Sequence, residues 1–144
     1  MKLKATALGA MLAATTTLAH QGVQNPAVMA RMESMSEIAD KMKILGTMAK
    51  GSLAFDAQTA REAAADIARH AEQTPALFQA NETDPKSEAK SNIWEDFDDF
   101  TKKSEELVRV ASGYAETVQS ADDLRAAVGA LGATCQACHA TYRE

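Results

Sequence analysis

The stretch Leu124-Arg125-Ala126-Ala127-Val128-Gly129-Ala130-Leu131-Gly132-Ala133-Thr134-Cys135-Gln136-Ala137-Cys138-His139-Ala140-Thr141-Tyr142 decides how the chain is read. Leu124, Val128, Leu131, Cys135, Cys138 and Tyr142 follow one another at steps of three or four, the repeat of one face of an α-helix. Both cysteines therefore fall on the seam such a helix turns toward a core. Within the stretch, Cys135-Gln136-Ala137-Cys138-His139 has the spacing of a covalent haem attachment site. Each thiol can form a thioether to a haem vinyl group, and His139 can offer a ring nitrogen to the iron. One haem c per chain is predicted, packed into the bundle interior where Gly129 and Gly132 leave space beside the backbone.

A disulfide between Cys135 and Cys138, a dithiol redox pair and a structural zinc site compete with that reading. A thioredoxin-like pair belongs beside a βαβ pattern, which is absent here. Zinc usually takes four ligands, and beyond Cys135, Cys138 and His139 only His20 and His70 remain as donors.

At the other end, Met1-Lys2-Leu3-Lys4 gives a basic start, Ala5 to Leu18 an apolar and small-residue stretch, and Thr17-Leu18-Ala19 a small-residue ending before His20. This is the pattern of a secretory signal peptide over 1–19, which leaves one four-helix-bundle haem domain over 20–144. No later segment approaches the ~20 apolar residues of a membrane span. A soluble protein exported to a bacterial periplasm is predicted, where haem attachment would consume both thiols. The chain carries 15 Lys and Arg against 20 Asp and Glu, which makes nucleic acid an unsuitable partner. An acidic surface suits a basic patch on a redox protein partner, or simply keeps the chain in solution.

Prolines occur at Pro26, Pro75 and Pro85, in a chain otherwise rich in helix formers. Asn25-Pro26 reads as an N-cap followed by proline in the first helical position, opening a helix toward Lys50 and Gly51. Val28, Met32, Met35, Ile38, Ala39, Met42, Leu45 and Met48 form its apolar face. A second helix begins after Asp56 and runs toward Gln73. Residues 74–92 then form a long connection that crosses one end of the bundle. A third helix starts near Ile93-Trp94 and carries Phe97, Phe100, Leu107, Val108, Ala111 and Val118. Ser120-Ala121-Asp122-Asp123 caps the last. The expected fold is all-α, an antiparallel four-helix bundle with covalently attached haem c.

A C-x-x-C-H motif at the extreme C-terminus of such a chain resembles the class II cytochromes c, the cytochrome c prime family. The likeness extends through Leu124–Val128, Gly132–Cys135 and His139–Arg143, and Ile93-Trp94-Glu95-Asp96 with Phe100 is similar to the family's tryptophan-containing segment. In that family the iron face opposite the histidine is often left open, while a low-spin subgroup, the c-556-like members, places methionine there. The position lies on the first helix, four residues after an arginine that approaches the haem propionates. The resemblance thus implies Met35 as sixth ligand and Arg31 as propionate partner.

Met32 is the nearest competitor for the iron, since methionine is also a common core filler. Arg31 read without the family register is a solvated surface arginine. Arg143, one turn after His139, is a further candidate near the proximal ligand or a propionate. Trp94 either packs near the haem or closes the end of the bundle, with Phe78 and Phe97 weaker candidates. His70 suits a polar helix face.

These readings converge on a periplasmic electron-transfer cytochrome with a six-coordinate His139/Met35 haem c. No acid/base or nucleophilic constellation is present, so an enzyme is not predicted. The alternative is a five-coordinate or ligand-displaceable haem protein that binds nitric oxide or carbon monoxide. A third account is a disulfide-containing helical interaction module. Both a monomer and a homodimer fit the amphipathic first helix.

Overall fold

The computed structural model describes residues 22–144; the expected signal peptide and His20 lie outside the described residues. Five helices follow in order: α1 Pro26–Ala49, α2 Ala57–Phe78, α3 Asn92–Glu95, α4 Phe97–Thr117 and α5 Ala121–Tyr142. The four long ones form an antiparallel bundle in which α2 packs on α1 and α4, and α5 on α4 and α1. Among the described residues, no helix is long and apolar enough to cross a membrane.

Local chemistry sets the ends of α1 as expected. Asn25 accepts the backbone N–H groups of Ala27 and Val28 at 2.9 and 3.2 Å, satisfying donors that the first helical turn leaves open. At the other end Gly51 takes φ +75°, its N–H donates to the Met48 carbonyl, and Ser52 N–H donates to Thr47. This is the Schellman arrangement, and glycine supplies its left-handed residue without strain. The α1 core face differs at three positions: Ala39 is exposed, whereas Arg31 and Ser34 are buried.

The second helix does not stop at Gln73 but continues through Pro75 to Phe78. Proline has no N–H to give the carbonyl four residues back, here Ala71. The buried Ser104 hydroxyl of α4 donates to that carbonyl at 2.7 Å. A donor on a neighbouring helix thus repairs the break that the sequence announces, and the helix carries on.

The third helix is in fact two. Asp96, at φ −133° and ψ 61°, interrupts the helical path after Glu95, and its side chain then caps α4 by accepting Asp99 N–H at 3.3 Å. A side chain able to cap competes with helix continuation. Ser120 and Asp123 open α5 with reciprocal bonds, Asp123 N–H to Ser120 Oγ at 3.1 Å and Ser120 N–H to Asp123 Oδ2 at 2.9 Å.

The main core is made by Ile38, Leu45, Met48, Ile67, Leu124 and Leu131 with the small residues of α2 between them. A second cluster, Phe78, Ile93, Phe100 and Tyr142, fills the end of the bundle where α1 begins and α5 finishes. The connection between α2 and α3 folds over that end. Asp84 accepts Gln24 and Asn25 N–H at 2.8 and 3.0 Å. Further along, Ala89 and Arg143 form an antiparallel bridge, with Lys90 N–H to Tyr142 O at 3.0 Å and Glu144 N–H to Glu88 O at 2.9 Å.

Candidate haem centre

Cys135 and Cys138 are both free and half-buried on α5. Burial pushes each thiol pKa up; for Cys138 the nearby Lys103 works against this, while Cys135 and Asp99 add to it. Among the described residues, no three His, Cys, Asp or Glu side chains converge as a bare metal ion requires.

Met35 of α1 and Cys138 of α5 pack against the same cluster of Phe78, Ile93, Phe100 and Tyr142, and Trp94 and Phe97 join it. Three residues singled out in the sequence on different helices, Met35, Trp94 and Cys138, are thus gathered at one end of the bundle. Phe100 is the hub of the aromatic packing, 5.0 Å from Phe78, 5.8 Å from Phe97 and 5.4 Å from Tyr142 between ring centroids. The buried Tyr142 hydroxyl donates to Asp99 Oδ2 at 2.7 Å, and its pKa is pushed far up by desolvation and by that carboxylate. Neither Phe100 nor Tyr142 stands out as a pocket residue in the sequence; the helical step from Cys138 to Tyr142 was the available signal.

His139 and Arg143 lie on the exposed side of α5. Desolvation lowers the His139 pKa, the Arg143 charge adds to that, and Glu88 opposes it. Arg143 donates through Nε to Glu88 Oε2 at 2.6 Å. His139 and Met35 are therefore on the two helices that flank the centre, but they share no cluster. His70 is half-buried with Nδ1 3.3 Å from the Ser34 hydroxyl, a polar contact between α1 and α2. Gly129 is exposed and does not face the interior as the sequence suggested, because its register on α5 points outward. Gly132 is half-buried, and a Cβ there would meet nothing within 4 Å.

Arg31 is only 3% exposed. Its Nε, Nη1 and Nη2 donate to the carbonyls of Leu77, Glu82 and Ala80 at 2.9, 2.7 and 2.5 Å. The guanidinium carbon sits 4.7 Å from the Phe78 ring centroid and 5.4 Å from that of Trp94. Trp94 Nε1 in turn donates to Phe78 O at 2.7 Å. The last carbonyls of α2, which a helix leaves without intrahelical partners, are thus taken by Arg31 and Trp94. Three of the five guanidinium N–H groups are used in this way, and two remain.

The donor set suits a covalently held haem. Two thiols share one helix face, a histidine follows the second, a thioether side chain stands on α1, and Met35 and Cys138 pack against one aromatic cluster. Surface grooves between α2 and α4 and between α4 and α5 include none of these residues.

Comparison with known proteins gives the same answer. Residues 26–143 match the family model described as cytochrome C'. A cytochrome c' from Rhodospirillum rubrum is 37% identical over 141 residues, covering 94% of this chain and 95% of that protein. A cytochrome c-556 from Agrobacterium tumefaciens is 36% identical over 110 residues, covering 76% and 89%. The solved cytochrome c' of Rhodopseudomonas palustris superposes with a TM-score of 0.78 at 27% identity, covering 84% of this chain and 98% of that one. The all-helical bundle, its two cysteines and these likenesses together establish that the chain belongs to the cytochrome c' family, whose haem c it holds covalently through those cysteines.

Proposed function

We propose that the protein is a periplasmic electron carrier, with His139 and Met35 as the two axial ligands of its haem c. The haem, when bound, supplies a one-electron couple between ferric and ferrous iron. The observation that carries the reading is the packing of Met35 and Cys138 against one aromatic cluster, which brings a thioether side chain of α1 to the helix that bears the attachment thiols. Met32 is half-buried on α1 but does not join that cluster.

The chain's own residues perform the rest of the task. Phe78, Phe100 and Tyr142 exclude water from the Met35 side, and Trp94 ties the connection to the end of α2. His139 and Met35, if both held the iron in either oxidation state, would limit rearrangement on electron transfer, and a methionine ligand would favour a raised reduction potential. The basic, apolar and small-residue pattern over 1–19 supports export to the periplasm, and the absence of any catalytic constellation in the sequence supports a carrier rather than an enzyme. A redox protein is the expected partner.

The ferric visible spectrum tests the reading. A low-spin spectrum that turns high-spin in Met35→Ala, with carbon monoxide binding quickened and Met32→Ala unchanged, is expected. A high-spin wild-type spectrum, or a Met35→Ala spectrum that stays low-spin, would overturn the assignment; the first of these points to the gas-binding alternative.

A further inference from the structure

Tyr142 is 4% exposed, and its hydroxyl donates to Asp99 Oδ2 at 2.7 Å. It follows Cys138 by one helical turn and belongs to the cluster that Cys138 packs against. The thioether at Cys138 thus anchors the haem one turn of helix from an oxidisable phenol that has a base on its hydroxyl. That base is charged at neutral pH: the Tyr142 hydroxyl, and then the Lys103 ammonium 3.6 Å from Oδ2, hold the Asp99 carboxyl below the ordinary range. The Asp99 side chain is 43% exposed, so a proton it takes can pass on to water. The other oxidisable rings differ. Trp94 Nε1 donates to the Phe78 carbonyl, which is no base, and Tyr114, the second of the chain's two tyrosines, packs against the main core instead.

We infer that Tyr142 is a reserve electron donor to the haem, giving up an electron while Asp99 takes its proton, when the reduced protein meets hydrogen peroxide. The inference rests on the haem held by Cys135 and Cys138, and on neither axial ligand.

Breaking the O–O bond of hydrogen peroxide to give two waters takes two electrons and two protons. Iron passing from ferrous to ferric yields one electron. Tyr142 yields the other, together with one proton by way of Asp99, and solvent supplies the second proton. With no second electron at hand, the same encounter leaves hydroxide and a hydroxyl radical, which attacks whatever it meets. A phenol that has lost an electron is a far stronger acid than a carboxylic acid, so the Tyr142 proton crosses the existing hydrogen bond to Asp99 as the electron leaves. The carboxyl then donates back to the phenoxyl oxygen, and burial keeps that radical from solvent. An electron from a redox partner and the Asp99 proton restore the phenol.

Electron paramagnetic resonance of the holoprotein, reduced with dithionite, freed of excess reductant, mixed with hydrogen peroxide and freeze-quenched, tests the inference. Wild type should give a tyrosyl radical that Tyr142→Phe removes and Tyr114→Phe leaves in place. Tyr142→Phe keeps the ring, and its ferrous absorption spectrum checks that the haem site is intact. Asp99→Asn keeps an acceptor oxygen but not a base, and should cut the radical yield several-fold. A wild type without a tyrosyl radical overturns the inference, as does a radical that survives Tyr142→Phe or is untouched by Asp99→Asn. Wild type grown on ring-deuterated tyrosine needs no variant to fold: the hyperfine lines of the radical should collapse, and unaltered lines overturn the inference. A spin trap for hydroxyl radical gives a second readout. Tyr142→Phe should release several-fold more than wild type, and equal release overturns the protective role.

Discussion

Ser104 on α4 donates its hydroxyl to the Ala71 carbonyl on α2, the acceptor that Pro75 four residues later cannot serve. The bond is 2.7 Å long and buried. It explains how a helix carries proline in its interior and still delivers Phe78 to the aromatic end of the bundle. Ser104→Ala should cost about 1–3 kcal/mol, the range for leaving a buried acceptor unpaired. In the Pro75→Ala background, where a backbone N–H is restored within reach of the same carbonyl, the cost should shrink. Urea denaturation of the four proteins in a double-mutant cycle measures the coupling, and equal costs in both backgrounds would show that Ser104 does not compensate for the proline.

Trp94→Phe keeps an aromatic ring and removes the 2.7 Å bond from Nε1 to Phe78 O. A loss of about 1 kcal/mol is expected, with faster amide exchange across the connection that Trp94 anchors. Denaturant midpoints that match the wild type would mean that the bond adds nothing to stability.

Asp84 holds the entry to α1 through a carboxylate that accepts backbone N–H groups from Lys86, Gln24 and Asn25, and these bonds keep its pKa below the ordinary carboxylate range. A carboxyl depressed on folding lends stability above its unfolded pKa of about 3.9 and surrenders it as pH falls through the lower folded value. Amide protection at Gln24 and Asn25 should therefore persist from neutral pH down to about 4 and fade below it. Asp84→Asn should weaken that protection and abolish its pH dependence, since the amide carries no charge to titrate and offers one acceptor oxygen to the N–H groups of Gln24, Asn25 and Lys86. Exchange followed against pH distinguishes the two proteins.

Cys135→Ala and Cys138→Ala each remove one attachment thiol, and the double variant removes both. Intact mass after expression in a host with a working attachment system should show the haem increment in the wild type and none in the double variant. A double variant that retains the increment would place the covalent link elsewhere.

Much of this architecture is legible in the sequence where the governing interactions are local. Asn25-Pro26 and Gly51 bound α1, and Ser120 with Asp123 opens α5, because caps and turns are made by neighbours in the chain. The steps from Leu124 to Tyr142 place both cysteines on the inward seam for the same reason. What escaped the sequence depends on partners far along the chain. The rescue of Pro75 comes from Ser104, whose bond to Ala71 spans 33 residues, and the burial of Arg31 depends on carbonyls 46 to 51 residues distant. An arginine on a helix face signals solvent or an anionic ligand; nothing local says that a later turn will wrap its carbonyls around it. Likewise, Asp96 looks like a residue within one helix until its own capping bond ends α3 and begins α4.

The connection between α2 and α3 grips both ends of the described chain, through Asp84 to Gln24 and Asn25 and through Glu88 to Arg143. These contacts span 60, 59 and 55 residues. Bringing together points so far apart costs chain entropy before any contact repays it, whereas the helices and their short turns form early. The two ends of the described chain are thus fastened by one irregular segment at the aromatic end of the bundle, and a single loosening there would free both at once.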